Sequence, residues 1–129
     1  IVRSAAAFGF DRQILSDDCA DLYHPRTLRG AMGALFRMRA DVVTDFASAV
    51  PALRASGRRV YAAELRDGAL SVDEAKPTAA DCFVIGNEGH GIPPEISALC
   101  TGSVYIPIAP TSESLNAATA ASILAYIQR

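Results

Sequence analysis

The chain has 129 residues, of which 50% are hydrophobic and 20% are charged, with a formal net charge of −2 at pH 7. This length predicts a single domain over residues 1–129, small for an enzyme that must also hold a macromolecule. The slightly acidic balance argues against a general nucleic-acid binder. No apolar run approaches the roughly 20 residues that cross a bilayer, and no leader pattern precedes a cleavage site, so we expect a cytoplasmic protein without a membrane partner.

The cysteines and histidines do not follow a metal-binding pattern. Cys19, Cys82 and Cys100 are odd in number and show no paired spacing, which favours neither a disulfide framework nor a zinc site. His24 and His90 are isolated from each other and from the cysteines, so we interpret both as loop residues. We therefore expect no metal cofactor.

The basic residues are unevenly distributed. Lys76 is the single lysine among 12 basic residues, and the arginines form two groups. The first group lies in an otherwise apolar region, which suits phosphate contacts to RNA, and it includes Arg26, Arg29 and Arg37. The second group, at positions 54, 58 and 59, is interpreted as a solvated helix end.

The first half of the chain predicts alternating helices and strands. An alanine-rich helix over residues 3–8 ends at Gly9, and a short strand follows over 12–15. Pro25 suits the first turn of a helix that runs towards Phe36. A strand over 41–43 and a helix over 46–56 complete this half, with Gly57 as the stop.

The second half continues the alternation. We predict strands over 60–63, 82–85 and 104–106, a turn at 67–68, and helices over 93–99 and 115–128. Strands that alternate with helices imply an α/β fold, in which a mainly parallel sheet is covered by helices on both faces. Ligands in such sheets bind beyond the carboxyl ends of the strands.

Two polar loops follow two of these strands. The first holds three glycines in six positions, Gly86, Gly89 and Gly91, which we expect to provide positive φ and to let a ligand approach the main chain without interference from a Cβ atom. The second runs over residues 106–116 and ends in Ser-Leu-Asn. Ile85, Ile106, Ile108 and Leu115 place apolar side chains in and beside these loops. The two loops together predict a cofactor site built mainly from backbone groups.

Four segments carry a family resemblance: residues 3–9, 25–37, 86–91 and 106–116. Together they resemble the SpoU branch of the SPOUT RNA methyltransferases, the TrmH-like ribose 2′-O-methyltransferases. The resemblance implies transfer of a methyl group from S-adenosylmethionine to a ribose 2′-hydroxyl of tRNA or rRNA. It also implies a C-terminal deep trefoil knot, an exception to unknotted topology. A homodimer is implied too, and the alanine-rich last helix offers a surface for close packing.

The resemblance assigns roles to individual positions. Four residues match catalytic or polar positions of the methyl-transfer site: Arg3, Glu88, Ser114 and Asn116. Six match positions around the methyl donor: Leu65, Gly86, Asn87, Gly89, Ile106 and Leu115. Structural roles compete at three of the polar positions, because Glu88 is also explained as a surface carboxylate, Ser114 as a helix N-cap, and Asn116 as a helix-start residue that bonds its own backbone.

Two further expectations concern what surrounds the site. The family's first motif begins with an asparagine and a glycine before the arginine, so we expect residues that precede Ile1 to complete it. The family resemblance also suggests that each site takes its arginine from the opposite subunit, and that Glu88 holds this arginine or helps to remove the ribose proton.

Two alternative functions stay open. One is a non-catalytic knotted module that binds RNA and cofactor, and the other is a SPOUT enzyme that methylates a base.

Overall fold

The computed structural model describes residues 1–129 and contains six strands and six α-helices. The strands are β1 (Arg12–Ser16), β2 (Arg39–Val43), β3 (Val60–Ala63), β4 (Leu70–Ser71), β5 (Cys82–Val84) and β6 (Gly102–Tyr105). The helices are α1 (Val2–Ala7), α2 (Pro25–Ala31), α3 (Phe46–Ala55), α4 (Val72–Ala75), α5 (Pro94–Leu99) and α6 (Ala117–Gln128). A 3₁₀ turn covers Ala34–Phe36. None of the helices combines the length and the apolar character that a membrane crossing requires.

Every pair of neighbouring strands is parallel, which confirms the predicted α/β fold. The strands divide between two sheets, a pair formed by β1 and β2 and a four-stranded sheet with the order β4-β6-β3-β5. β3 is thus flanked by β5 on one side and β6 on the other. Because these three strands are parallel, their carboxyl ends lie at the same edge of the sheet.

The central strand β3 is buried on both faces. Val60 and Ala62 are 0% exposed and pack on one side with residues of α3 and α5. Tyr61, between them in the strand, belongs to the other side, where it packs with residues of α4, β6 and α6. Side chains alternate along a strand, so helices cover both faces of this sheet as the sequence predicts.

The helix predicted from Pro25 to Phe36 is wrong in its second half. α2 ends at Ala31, because Met32 (φ 50°) and Gly33 (φ 77°) both adopt the left-handed conformation. Glycine adopts it readily, whereas it is uncommon for a residue with a Cβ atom. The chain therefore turns before the 3₁₀ segment, and the Met32 side chain is left 64% exposed.

Sequence analysis missed β4 and α4, although a signal for the helix was present. Ser71 and Glu74 form a capping box, in which Ser71 Oγ accepts from the Glu74 N–H at 3.3 Å and the Ser71 N–H donates to Glu74 Oε2 at 2.9 Å. A serine followed by glutamate three residues later is the sequence signature of this motif. The helix is only four residues long, so no apolar periodicity accompanies the signature.

The last helix packs against the first helix within the chain. Ser122 donates a hydrogen bond to Ser4 at 2.7 Å, and the rings of Phe8 and Tyr126 meet edge to face with centroids 5.6 Å apart. α6 begins at Ala117 rather than at the predicted residue 115. Part of its small-residue surface is therefore used inside the monomer.

The second arginine group is not simply solvated, as the sequence had suggested. Arg54 donates to the Leu99 carbonyl at 2.8 Å, and Arg58 donates to the Ala80 carbonyl at 3.1 Å. Arg59 forms an ion pair with Asp81. All three guanidinium groups thus link separate segments of the chain.

Asp81 is the most highly connected buried carboxylate. It accepts from Arg59 Nε at 2.9 Å and Nη2 at 2.6 Å, and from the Thr78 N–H at 2.6 Å. The backbone carbonyl of Asp81 also accepts a hydrogen bond from the buried Gln128 amide at the end of α6. Burial by itself raises the pKa of Asp81, but the hydrogen bonds from Arg59 and Thr78 outweigh it and the pKa lies below its usual value.

We expect Asp81→Asn to lower the free energy of unfolding by about 2 kcal/mol at neutral pH, the order of magnitude for hydrogen bonds to a charged group. The pKa of Asp81 is lower in the folded chain than in the unfolded chain, where it is about 3.9. Its stabilisation is therefore complete above the unfolded value and is lost as the pH falls through the folded value. Urea denaturation at about pH 7 and about pH 3 measures both effects.

Asp11→Asn is the matched control, because Asp11 is exposed and takes part in no ion pair. Equal losses in the two variants, or a difference between wild type and Asp81→Asn that stays constant down to the lower pH, would contradict the prediction.

Candidate active site

The predicted site residues around the cofactor gather at one edge of the four-stranded sheet. Leu65 follows β3, Gly86 follows β5 and Ile106 follows β6. The order β6-β3-β5 makes these three strand ends neighbours. The expectation that both polar loops lie at the carboxyl ends of parallel strands is therefore correct.

The glycine loop is closed by its own backbone. The N–H of Asn87 donates to the Gly91 carbonyl at 3.1 Å, and the N–H of Gly91 donates to the Asn87 carbonyl at 2.8 Å. The Asn87 side chain accepts from the Gly89 N–H at 2.7 Å. These bonds hold the exposed residues Glu88 and Gly89 at the tip of a defined turn.

The expectation about the three glycines is only partly correct. Gly91 has a φ of 68°, but Gly86 and Gly89 are not among the residues with positive φ. A Cβ atom added at Gly86 would lie 2.5 Å from the carbonyl carbon of Gly91 and 2.7 Å from the backbone nitrogen of Ile92. Position 86 therefore requires glycine because the loop folds back onto itself.

A side-chain hydrogen bond joins the two polar loops. Asn116 Nδ2 donates to Glu88 Oε1 at 2.6 Å. Asn116 Oδ1 accepts from the N–H groups of Ala118 at 2.9 Å and Thr119 at 3.2 Å, so it caps α6. The helix-start role expected for Asn116 is confirmed, and the same amide also orients the Glu88 carboxylate.

Ser114 and Arg3 form no side-chain hydrogen bond with this pair. Ser114 is exposed and does not cap α6, so its expected N-cap alternative is wrong, because Asn116 takes that position. Arg3 is exposed on α1 and forms no ion pair within the chain. The suggested contact between Glu88 and Arg3 is not formed within one chain, where Asn116 holds Glu88 instead.

The second loop leaves most of its backbone groups available. From Ile106 to Leu115 the backbone forms one internal hydrogen bond, between the Ser112 N–H and the Ala109 carbonyl. Ile106 and Leu115 are half-buried, and Ile106 packs with Ile85 against the cluster around Tyr61. Free backbone donors and acceptors beside half-buried apolar side chains fit an adenine-containing cofactor. Leu65, in contrast, is 79% exposed.

The arginines predicted to bind phosphate are exposed on and after α2. Arg26 and Arg29 lie in α2, and Arg37 follows the 3₁₀ turn. None of them forms an ion pair with a carboxylate of the chain. Arg3 and Arg37, which are distant in sequence, line the same groove.

Sequence analysis missed a polar network at the end of β3. Glu64 accepts hydrogen bonds from Ser97, which is buried, and from Ser103 at 2.8 Å, and Arg66 lies 3.5 Å from the same carboxylate. Partial burial raises the pKa of Glu64, but the two serine hydrogen bonds and the Arg66 charge outweigh it and lower the pKa. A charged residue directly after a buried strand was the available signal. The serines come from α5 and β6, and nothing in the sequence links them to Glu64.

Comparison with known proteins identifies the family. The SpoU rRNA Methylase family model matches residues 1–126, so the chain belongs to this family. Over 98% of its length the chain is 35% identical to the 23S rRNA (guanosine(2553)-2′-O)-methyltransferase of Bacillus subtilis and covers 50% of it. It is also 34% identical, over 98% of its length, to the 23S rRNA (uridine(2479)-2′-O)-methyltransferase of Streptomyces viridochromogenes, of which it covers 45%.

Solved structures agree with this assignment. The SpoU methyltransferase AviRb from Streptomyces viridochromogenes, in complex with the cofactor AdoMet, matches 98% of this chain with a TM-score of 0.88 and 33% identity, over 52% of its own chain. An AdoMet-bound rRNA methyltransferase from Sinorhizobium meliloti matches 98% of this chain with a TM-score of 0.82 and 29% identity, over 48% of its own chain. The chain thus spans about half the length of these relatives.

We expect Gly86→Ala to destabilise the chain by about 1–3 kcal/mol even without any ligand, which is the usual cost of overpacking. The new methyl group cannot fit beside the Gly91 backbone unless the bridge between Asn87 and Gly91 opens. Urea denaturation of the ligand-free protein measures the loss. Gly102→Ala is the matched control, since no atom lies within 4 Å of its added Cβ and its φ is not positive. A Gly86→Ala chain as stable as Gly102→Ala would show that the loop does not close as described.

Proposed function

We propose that this chain is the methyl-transfer domain, over residues 1–129, of an S-adenosylmethionine-dependent RNA methyltransferase that acts on a ribose 2′-hydroxyl of rRNA or tRNA. The observation that carries the proposal is the 2.6 Å hydrogen bond from Asn116 to Glu88, which unites two polar loops at the carboxyl edge of a parallel sheet. Membership of the family and the 2′-O-methyltransferase names of the relatives support it.

The cofactor is proposed to bind where the ends of β3, β5 and β6 meet. Gly86, Ile106 and Leu115 would provide most of the contacts, through backbone groups and apolar side chains. Asn87 and Gly89, at the tip of the glycine loop, and the exposed Leu65 would complete the site. S-adenosylmethionine supplies an activated methyl group on a sulfonium centre, and the proposal requires no metal.

The polar residues are proposed to position the RNA and to stabilise the negative charge of its phosphate and of the reacting ribose oxygen. Methyl transfer requires in-line approach of the ribose oxygen and removal of its proton, so positioning supplies much of the acceleration. Arg3 is not assigned as the base, because guanidinium groups do not act as bases in proteins. We therefore assign it to the phosphate beside the target ribose and to the developing alkoxide charge. Glu88, oriented by Asn116, would assist in removing the proton, and Ser114 would line the same site.

Assembly and topology are part of the proposal. A homodimer would let Arg3 reach the loops of the partner chain, which agrees with its lack of an ion pair within its own chain. We also propose the trefoil knot, supported by the course of residues 106–116 past the glycine loop before α6 returns to Asp81. An experimentally traced backbone tests the knot. We also propose a cytoplasmic location, which an RNA substrate supports.

Two measurements on the complete protein test the function. Calorimetry with S-adenosylmethionine in the presence of a chelator should detect binding, and mass spectrometry of RNA from cells with and without the protein should reveal one methylated ribose.

Asn116→Asp is the variant of choice, because aspartate still caps α6 but cannot donate to Glu88. We expect it to lower methyl transfer at least about tenfold, the loss of roughly one charge-assisted hydrogen bond, with little change in stability.

Each alternative predicts a different result. A methylated base in place of a methylated ribose would identify a base-methylating enzyme of the same fold. Binding of cofactor and RNA without methylation would identify a non-catalytic module. Failure to bind S-adenosylmethionine at millimolar concentration would refute the proposal itself.

Arg3→Ala is expected to leave cofactor affinity nearly unchanged and to lower methyl transfer by orders of magnitude, because a contact specific to the transition state is removed. Arg3→Lys should restore little, since an ammonium group cannot reproduce the guanidinium fork. Mixed dimers of Arg3→Ala and Asn116→Asp chains test whether the arginine acts across the interface. One intact site should then remain, and the heterodimer should be more active than either homodimer. Heterodimers that are shown to have formed but are no more active than the Asn116→Asp homodimer would place Arg3 in the site of its own chain.

A further inference from the structure

A groove on the α1 side of the molecule combines positive charge with exposed apolar surface, and the function proposed above uses only one of its residues, Arg3. Its volume is about 450 Å³, within the range of about 300–1,000 Å³ for small-ligand sites. Six residues line it: Arg3, Ala6, Ala7, Phe10, Met32 and Arg37. We call it the Arg3–Arg37 groove.

The charge of the groove is not neutralised within the chain. Arg3 and Arg37 come from segments far apart in sequence, and no acidic residue lines the groove. The four ion pairs of the chain use other arginines. Two guanidinium groups on one concave surface suit a bridging phosphate, which accepts charge-assisted hydrogen bonds from both.

The apolar part of the groove depends on an unusual backbone turn. Met32 has a φ of 50° and is followed by Gly33 in the same left-handed region, and its side chain lines the groove while 64% exposed. Strained backbone of this kind is concentrated at functional sites. The following 3₁₀ turn ends in Phe36, which is 86% exposed and directly precedes Arg37.

An unpaired nucleotide is complementary to such a surface, because it carries a negatively charged phosphate and an exposed base that can pack on apolar side chains. Proteins recognise unpaired bases by stacking them on aromatic side chains or packing them against apolar ones, and they bind the phosphates with arginine. An acidic peptide would satisfy the arginines but would not explain an exposed phenylalanine and methionine beside them. The charge and shape therefore favour RNA.

Resting on the function proposed above, we propose that the Arg3–Arg37 groove holds one unpaired nucleotide of the substrate RNA. Its phosphate lies between the Arg3 and Arg37 guanidinium groups. Its base rests on Met32, which lines the groove, and on the exposed ring of Phe36, which is not a lining residue but directly precedes Arg37. Phe36 and Met32 thereby become RNA-binding residues, and the groove selects regions of the substrate that are not base-paired.

The test compares three variants, Arg37→Ala and Met32→Ala in the groove and Phe36→Ala next to it, with two controls in the complete protein; the three are called the groove variants below. Arg39→Ala is the control for charge, since Arg39 is paired with Asp41 and its side chain is 69% exposed. Val42→Ala is the control for apolar surface, since Val42 is 58% exposed on β2. The probe is a fluorescein-labelled oligouridylate of about 12 nucleotides, within the length that single-strand-binding sites occupy.

We expect each groove variant to weaken binding of this RNA about tenfold, the effect of losing one stacked base or one phosphate contact. The salt dependence of RNA affinity distinguishes the phosphate contact from the contacts with the base. Arg37→Ala should reduce the slope of log K against log salt by about 0.7, the value for one phosphate of a single strand, while Met32→Ala and Phe36→Ala should keep the wild-type slope. All three variants should bind S-adenosylmethionine with wild-type affinity.

Three results would overturn the inference. If the groove variants bind and methylate RNA as the controls do, while wild type methylates bulk cellular RNA, the groove is not an RNA site and the proposed function stands. If sedimentation shows that the variants convert a dimer into monomers, the groove is a contact between two copies of this chain. If wild type methylates no RNA, the proposed function fails and this inference fails with it.

Discussion

The parallel pairing of β3 with β5 on one side and with β6 on the other determines where the candidate site residues lie. Parallel strands end at the same edge of a sheet, so the segments after all three strands meet there. Both faces of β3 are covered by helices, which fixes the strand in the core. The charged residues Glu64 and Glu88 both follow strands at the same edge.

Hydrogen bonds join the parts of the site to one another. The glycine loop closes through the bridge between Asn87 and Gly91, and Asn116 joins that loop to the start of α6. One amide thereby serves the fold as a helix cap and the site as the partner of Glu88. The Asn116 Oδ1 atom caps the helix, and the Nδ2 atom donates to Glu88. A substitution can therefore remove the hydrogen bond to Glu88 and retain the helix cap.

Much of the fold could be predicted from periodicity and from turn residues. The alternation of helices and strands, their parallel arrangement and the positions of both polar loops were predicted correctly. The helix over residues 25–36 was not, because Met32 adopts a left-handed conformation that side chains with a Cβ atom seldom take. β4 and α4 were missed because they span two and four residues, too few to show a period.

The sequence by itself determined the family, the order of the elements and the residues that form each polar loop, because these depend on local patterns and on motifs that are continuous along the chain. Only the tertiary structure decided which of those residues meet. It joined Asn116 to Glu88, gave Glu64 its partners Ser97 and Ser103, and brought Arg3 and Arg37 to one groove. It also showed that Gly86 is required by the Gly91 backbone. Such contacts link positions distant in sequence, and they exist only when packing has brought separate segments together.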